Sequence, residues 1–199
     1  MTNEFPKFFE TNEYFIDQKV NFLKFEAEYK VFDQTGTQIG FIKQRLSAGF
    51  KVLSFFLNRA MFPFLLEITD MEGNVLASIK RGWTFWMSEI NVLNGQQELI
   101  GKIKQKWSFM KPTFHINSGQ NKKLAEIKGD WKGWNFEIKD TYDNPIGTIS
   151  KKWAGALKEV FTSADKYNVS IREEYSENTD KIVVVSTAIT IDMVLKESK

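Results

Sequence analysis

The sequence predicts a mainly β fold, a closed antiparallel barrel around a buried C-terminal helix. Three observations predict it. First, a pattern of small residue, any residue and Ile recurs as Gly40-x-Ile42, Ala77-x-Ile79, Gly101-x-Ile103, Ala125-x-Ile127 and Gly147-x-Ile149. The last four copies continue to Trp83, Trp107, Trp131 and Trp153, and Leu46 stands at that place in the first. Second, each copy follows an apolar strand and a turn signal. Third, the chain ends in an apolar run, Ile182–Leu195, broken only by Ser186, Thr187, Thr190 and Asp192.

Tyr14-Phe15-Ile16 opens the β region. The first hairpin pairs Tyr29–Phe32 with Ile39–Lys43 across Asp33-Gln-Thr-Gly36, and the second pairs Leu65–Thr69 with Val75–Lys80 across Asp70-Met-Glu-Gly73. The third runs from Glu89 to Trp107 across Asn94-Gly95. The fourth turns at Asn117-Ser-Gly119, and the fifth, Trp134 to Trp153, turns at Asp140–Pro145. Asp, Asn and Gly suit turns because they tolerate positive φ or bond back to the backbone. The repeated isoleucines lie 37, 24, 24 and 22 residues apart, the length of a two-stranded unit in an all-β meander. Side chains alternate along a strand. The small residue, Ile and Trp therefore share the inward face, and Lys43, Lys80, Lys104 and Lys128 share the outward one.

The longest gap holds Leu46 to Pro63, where Phe50, Leu53 and Leu57 fall at helical spacing and Pro63 stops a helix. Such a segment docks on the barrel or meets a membrane surface. After the fifth hairpin, Tyr167–Ile171 reads as a strand and Arg172–Asp180 as a solvated loop. As a helix, Ile182–Leu195 spans about 21 Å at 1.5 Å per residue, against about 30 Å for a bilayer core. A helix apolar on nearly all sides needs protein all round it. A closed barrel supplies that and leaves no free strand edge. One domain, 1–199, with a central helix at about 181–196, accounts for the chain.

Composition excludes several functions. There is no Cys, so disulfides, thiolate metal sites and Cys nucleophiles are out. The single His, His115, rules out His-rich metal sites and sits in an alternating strand as a structural residue. Ser-nucleophile motifs, phosphate loops and dinucleotide fingerprints are missing, so an enzyme is not expected. A net charge of +2 argues against nucleic acid. The first residues lack a basic and apolar leader, so a cytoplasmic protein is expected.

Lys151-Lys-Trp-Ala-Gly-Ala-Leu-Lys-Glu-Val-Phe-Thr-Ser-Ala-Asp165 resembles the phospholipid scramblase signature, in which K-x-W-x-G-x-x-x-E-x-F-T-x-A-D leads to the last strand and helix. Ile138-x-Asp140 with Pro145-Ile-Gly-x-Ile149, and Tyr29-x-Val-Phe-Asp33-x-x-Gly36-x-x-Ile-Gly40, resemble that family's hairpins. The similarity covers about residues 14–196. It implies the tubby-like architecture shared with LURP-one-related proteins, a barrel of about twelve strands around the C-terminal helix. It also implies a peripheral role at the inner membrane face. The Pro-rich region and Cys cluster of animal scramblases have no counterpart in these residues. In the calcium segment Ser163 replaces the first Asp, while Asp165 and Glu174 keep two acidic positions. Calcium takes six to eight oxygens, so no resident cofactor is expected.

The basic residues carry the functional expectation. Lys102, Lys104 and Lys106 alternate along one strand face, Lys122, Lys123 and Lys128 follow in the next unit, and Lys151 and Lys152 in the fifth. On adjoining strands they form a stripe that attracts anionic phospholipid headgroups, diluted by Glu98, Glu126 and Asp130. Lys102, Lys104, Lys106, Lys151 and Lys152 are the candidate headgroup residues. The alternative is a scaffold without a membrane role that binds a protein or small ligand.

Overall fold

A computed structural model describes residues 5–19, 28–45, 63–83, 89–106, 113–130, 134–151, 166–175 and 178–196. A 3-10 turn at Lys7–Phe9 precedes twelve strands. They are β1 (Glu13–Lys19), β2 (Glu28–Phe32), β3 (Gln38–Arg45), β4 (Phe64–Thr69), β5 (Val75–Arg81) and β6 (Glu89–Asn94), then β7 (Leu99–Lys106), β8 (Thr113–Ser118), β9 (Lys123–Asp130), β10 (Asn135–Lys139), β11 (Pro145–Ser150) and β12 (Lys166–Ile171). Among the described residues one α-helix, α1, runs Thr179–Lys196. Each strand pairs antiparallel with the next, and β12 closes the barrel on β1 through Tyr14 opposite Val169 and Ile16 opposite Tyr167.

All five repeated isoleucines are fully buried. Each removes a large side chain from water, which contributes about 1.5–3 kcal/mol. They face α1, whose Val183, Val184, Val185, Ala188, Ile189 and Ile191 are also fully buried. Three consecutive buried valines point in three directions, so the helix has wall on every side. The small residue of each repeat has a second role. Gly40, Ala77, Gly101, Ala125 and Gly147 each pair beside a register shift in the hairpin, such as Val31/Phe32 opposite Gly40 and Val92/Leu93 opposite Gly101. A bulge there sharpens strand twist, and five of them help curl the sheet shut.

Trp83 of the repeat departs from expectation. Trp83 is 50% exposed, because β5 ends at Arg81 and alternation stops with the ladder. The inward slot two residues after Ile79 is instead taken by Arg81. Its guanidinium is buried and lies 4.7 Å from the Phe64 ring centroid. Trp107, Trp131, Trp153 and the 46–62 segment lie outside the described residues.

The five hairpins share one turn. In residues 33–37, 70–74, 94–98, 118–122 and 140–144 the first N–H bonds the fifth carbonyl at 2.8–3.1 Å. The first side chain, Asp33, Asp70, Asn94, Ser118 or Asp140, accepts from the backbone N–H four residues on. The fourth residue takes positive φ: Gly36, Gly73, Gln97, Asn121 and Asp143. Asn94-Gly95 thus marks the turn, but Gln97 carries the left-handed conformation.

The Asn144 side chain, helped by the Asn144 and Tyr142 backbone amides, holds the Asp140 carboxyl below its ordinary value. A depressed folded pKa stabilises above the unfolded pKa, and that benefit is lost as pH falls through the folded one. Carbon-detected NMR should show Asp140 titrating below free Asp, and Asn144→Ala should move it upward. A midpoint at or above the free value would refute this.

Candidate functional site

The outward face of β7 carries Lys102, Lys104 and Lys106 as alternation requires. Register then decides their surroundings. On one side Lys104 faces Glu89 of β6, and Glu89 bridges Lys102 at 2.9 Å and Lys104 at 3.8 Å. On the other, Lys104 faces His115 of β8, and His115 faces Glu126 of β9. Glu126 takes His115 Nδ1 at 3.5 Å and Lys123 at 3.4 Å. Burial lowers the His115 pKa, with Glu126 opposing and Lys106 and Lys123 reinforcing, so the ring is neutral at pH 7. The middle of this face is a checkerboard of cations and carboxylates rather than an uninterrupted stripe.

Lys106 differs. It ends β7, faces Thr113, and across Thr113 stands Lys128. Among the described residues neither lysine forms an ion pair. Lys151 lies at the same end of the barrel. Its ammonium sits 4.5 Å above the Trp134 ring, and that ring packs on Phe136 and Tyr167. Lys152 and Asp165 lie outside the described residues. Glu174 is exposed in the turn after β12, at the opposite end from Lys166, where that strand begins. Among the described residues no three His, Asp or Glu side chains are grouped to hold a metal.

The barrel closes with its charges sorted along its axis. The five shared turns lie at one end, the hairpin end, and carry Asp33, Asp70, Glu72, Glu98, Asp140 and Asp143 against one cation, Lys122. Tyr175, beside them, is pushed up to about 12 by burial, then by Asp180 and Asp140. At the far end the three outermost residues of the twelve strands carry ten Lys or Arg and five carboxylates. Composition could not show this, because the two ends nearly cancel. The sequence put Lys128 in the stripe; register sets it across Thr113 from Lys106.

The sequence matches the Scramblase family over residues 8–198, nearly the whole chain. The chain belongs to the Scramblase family. This family of barrels is not an enzyme class, and membership suggests a lipid-related role. A protein from Arabidopsis thaliana solved by X-ray crystallography shares the tubby-like fold, with a TM-score of 0.55 at 13% identity over 92% of this chain and 91% of that one. No curated protein matches the chain. Within this Scramblase-family barrel the helix is core. Among the described residues no helix is long and apolar enough to cross a membrane.

Proposed function

We propose that this Scramblase-family barrel is a non-enzymatic, peripheral binder of anionic phospholipid surfaces, docking far end first. The sorting of charge along the barrel axis carries the reading. A basic end and an acidic end orient the molecule in the field of an anionic leaflet, and each lysine near the surface contributes about 1 kcal/mol. Lys106, Lys128 and Lys151 are the leading contacts, with Lys152 beside them in sequence. Lys102 and Lys104 contribute less, since Glu89 already holds them. An anionic cytoplasmic leaflet is the surface this reading favours, at the inner membrane face.

The strands argue for docking on the membrane rather than crossing it. A spanning barrel presents an apolar band to lipid, whereas Lys80, Lys104, Lys128 and Glu137 project from the outer face here. Buried side chains of α1 fill the interior, so the proposal does not extend to lipid flipping. Co-sedimentation at low salt should recover the protein with vesicles containing phosphatidylserine or phosphoinositide and not with phosphatidylcholine alone. Lys106→Glu/Lys151→Glu should weaken binding about tenfold or more, and Lys102→Glu clearly less. Absence of binding to anionic vesicles, or equal binding to neutral ones, would sink the reading.

A further inference from the structure

A cleft of about 410 Å³ opens at the hairpin end, beside the start of α1. Its walls are Phe5, Pro6, Val75, Leu76, Ile100 and Ile182, and Asn94, Gln96 and Asn178 supply neutral amides. Among the described residues no charged side chain lines it. Two exposed apolar residues flank it in sequence, Met71 ahead of Val75 and Leu99 ahead of Ile100, at 50% and 43% exposure. Carboxylates stand around it: Glu72 in the turn before Val75, Glu98 in the turn before Ile100, and Asp180 in the first turn of α1.

The chemistry selects the occupant. An anionic ligand is disfavoured, because the Asn178 carbonyl oxygen of the side chain already accepts from the amides of Asp180 at 2.9 Å and Lys181 at 3.2 Å. The Lys181 ammonium is drawn inward to the Glu10 carbonyl at 3.4 Å and Asn12 Oδ1 at 3.1 Å. Among the described residues the exposed cations at this end are Lys7, Lys122, Lys123 and Arg172, fewer than its carboxylates. The space suits one or two apolar side chains, and the surround suits positive charge. We propose that this cleft docks a basic peptide segment of a partner protein, anchored by an apolar side chain. The basic end would then face lipid while the acidic end holds the partner, and neither contact obstructs the other.

Fluorescence anisotropy with short labelled Lys/Leu, Ser/Leu and Glu/Leu peptides of equal Leu content tests this on the full chain. The Lys/Leu peptide should bind saturably and weaken with salt. Val75→Trp, which fills the cleft, and Glu72→Lys/Glu98→Lys, which is exposed and leaves the core untouched, should each weaken it about tenfold. Vesicle binding should not weaken in Glu72→Lys/Glu98→Lys, which separates this surface from the lipid-facing end. Equal binding of the Ser/Leu peptide would mean a plain apolar pocket and overturn the proposal. So would Lys/Leu binding indifferent to both variants, no Lys/Leu binding, or sedimentation showing a second copy of the chain seated on this end.

Discussion

Gly101→Val will destabilise the barrel by about 3 kcal/mol, the upper part of the range for overpacking a dense core. Gly101 faces the central helix. A Cβ there would meet Val183 Cγ1 at 2.3 Å and Cγ2 at 2.8 Å, with the Asn117 carbonyl at 3.1 Å. Val183 is fully buried and stiff at χ1, so it cannot swing aside. Valine is also the better strand former, so propensity alone predicts the opposite sign. Val183→Ala by itself leaves a cavity and costs about 1–3 kcal/mol. Together the two changes should cost less than their sum, because the added methyls occupy the space the valine leaves. Urea unfolding of the four proteins reads the coupling, and strictly additive losses would refute the contact.

Tyr29→Phe should cost about 2–3 kcal/mol, the range for a hydrogen bond to a charged buried group. Asp192 lies on α1, 4% exposed, and its Oδ2 accepts the Tyr29 hydroxyl at 2.9 Å. Nearby the Tyr167 hydroxyl donates to the Ile189 carbonyl. Burial, and after it the Asp192 charge, pushes that phenol far above its ordinary range, so it stays a donor at any working pH. These bonds tie the helix to β2 and β12 at a fixed rotation. In an Asp192→Leu background Tyr29→Phe should cost under about 1 kcal/mol, since no carboxylate remains to be stranded. Equal losses in both backgrounds would mean that Tyr29 acts by packing alone.

The repeated isoleucines were legible because alternation is a local property, and each lies well inside its strand. Trp83 was misplaced for the same reason. Alternation ends with hydrogen bonding, and β5 stops at Arg81, two residues short. Arg81 carried no signal in the sequence, and it is buried against Phe64 of the neighbouring strand. The calcium segment was legible as a pattern, yet strand β12 sets Glu174 at the hairpin end of the barrel and Lys166 at the other.

By itself, then, the sequence determined the β class, the hairpin positions, the inward isoleucines and the need to enclose the last helix. Each of these rests on neighbours within a few residues, which periodicity and turn chemistry report directly. Only the tertiary structure decided which charges meet. Closure sends every hairpin turn to one end of the barrel, register places Glu89 between two lysines and Lys128 beyond Lys106, and the start of α1 completes a cleft with two distant hairpins. Coulomb energies and cavities depend on distance in space, and residues as far apart in the chain as Glu13 and Ser170 become neighbours only when the ladder closes.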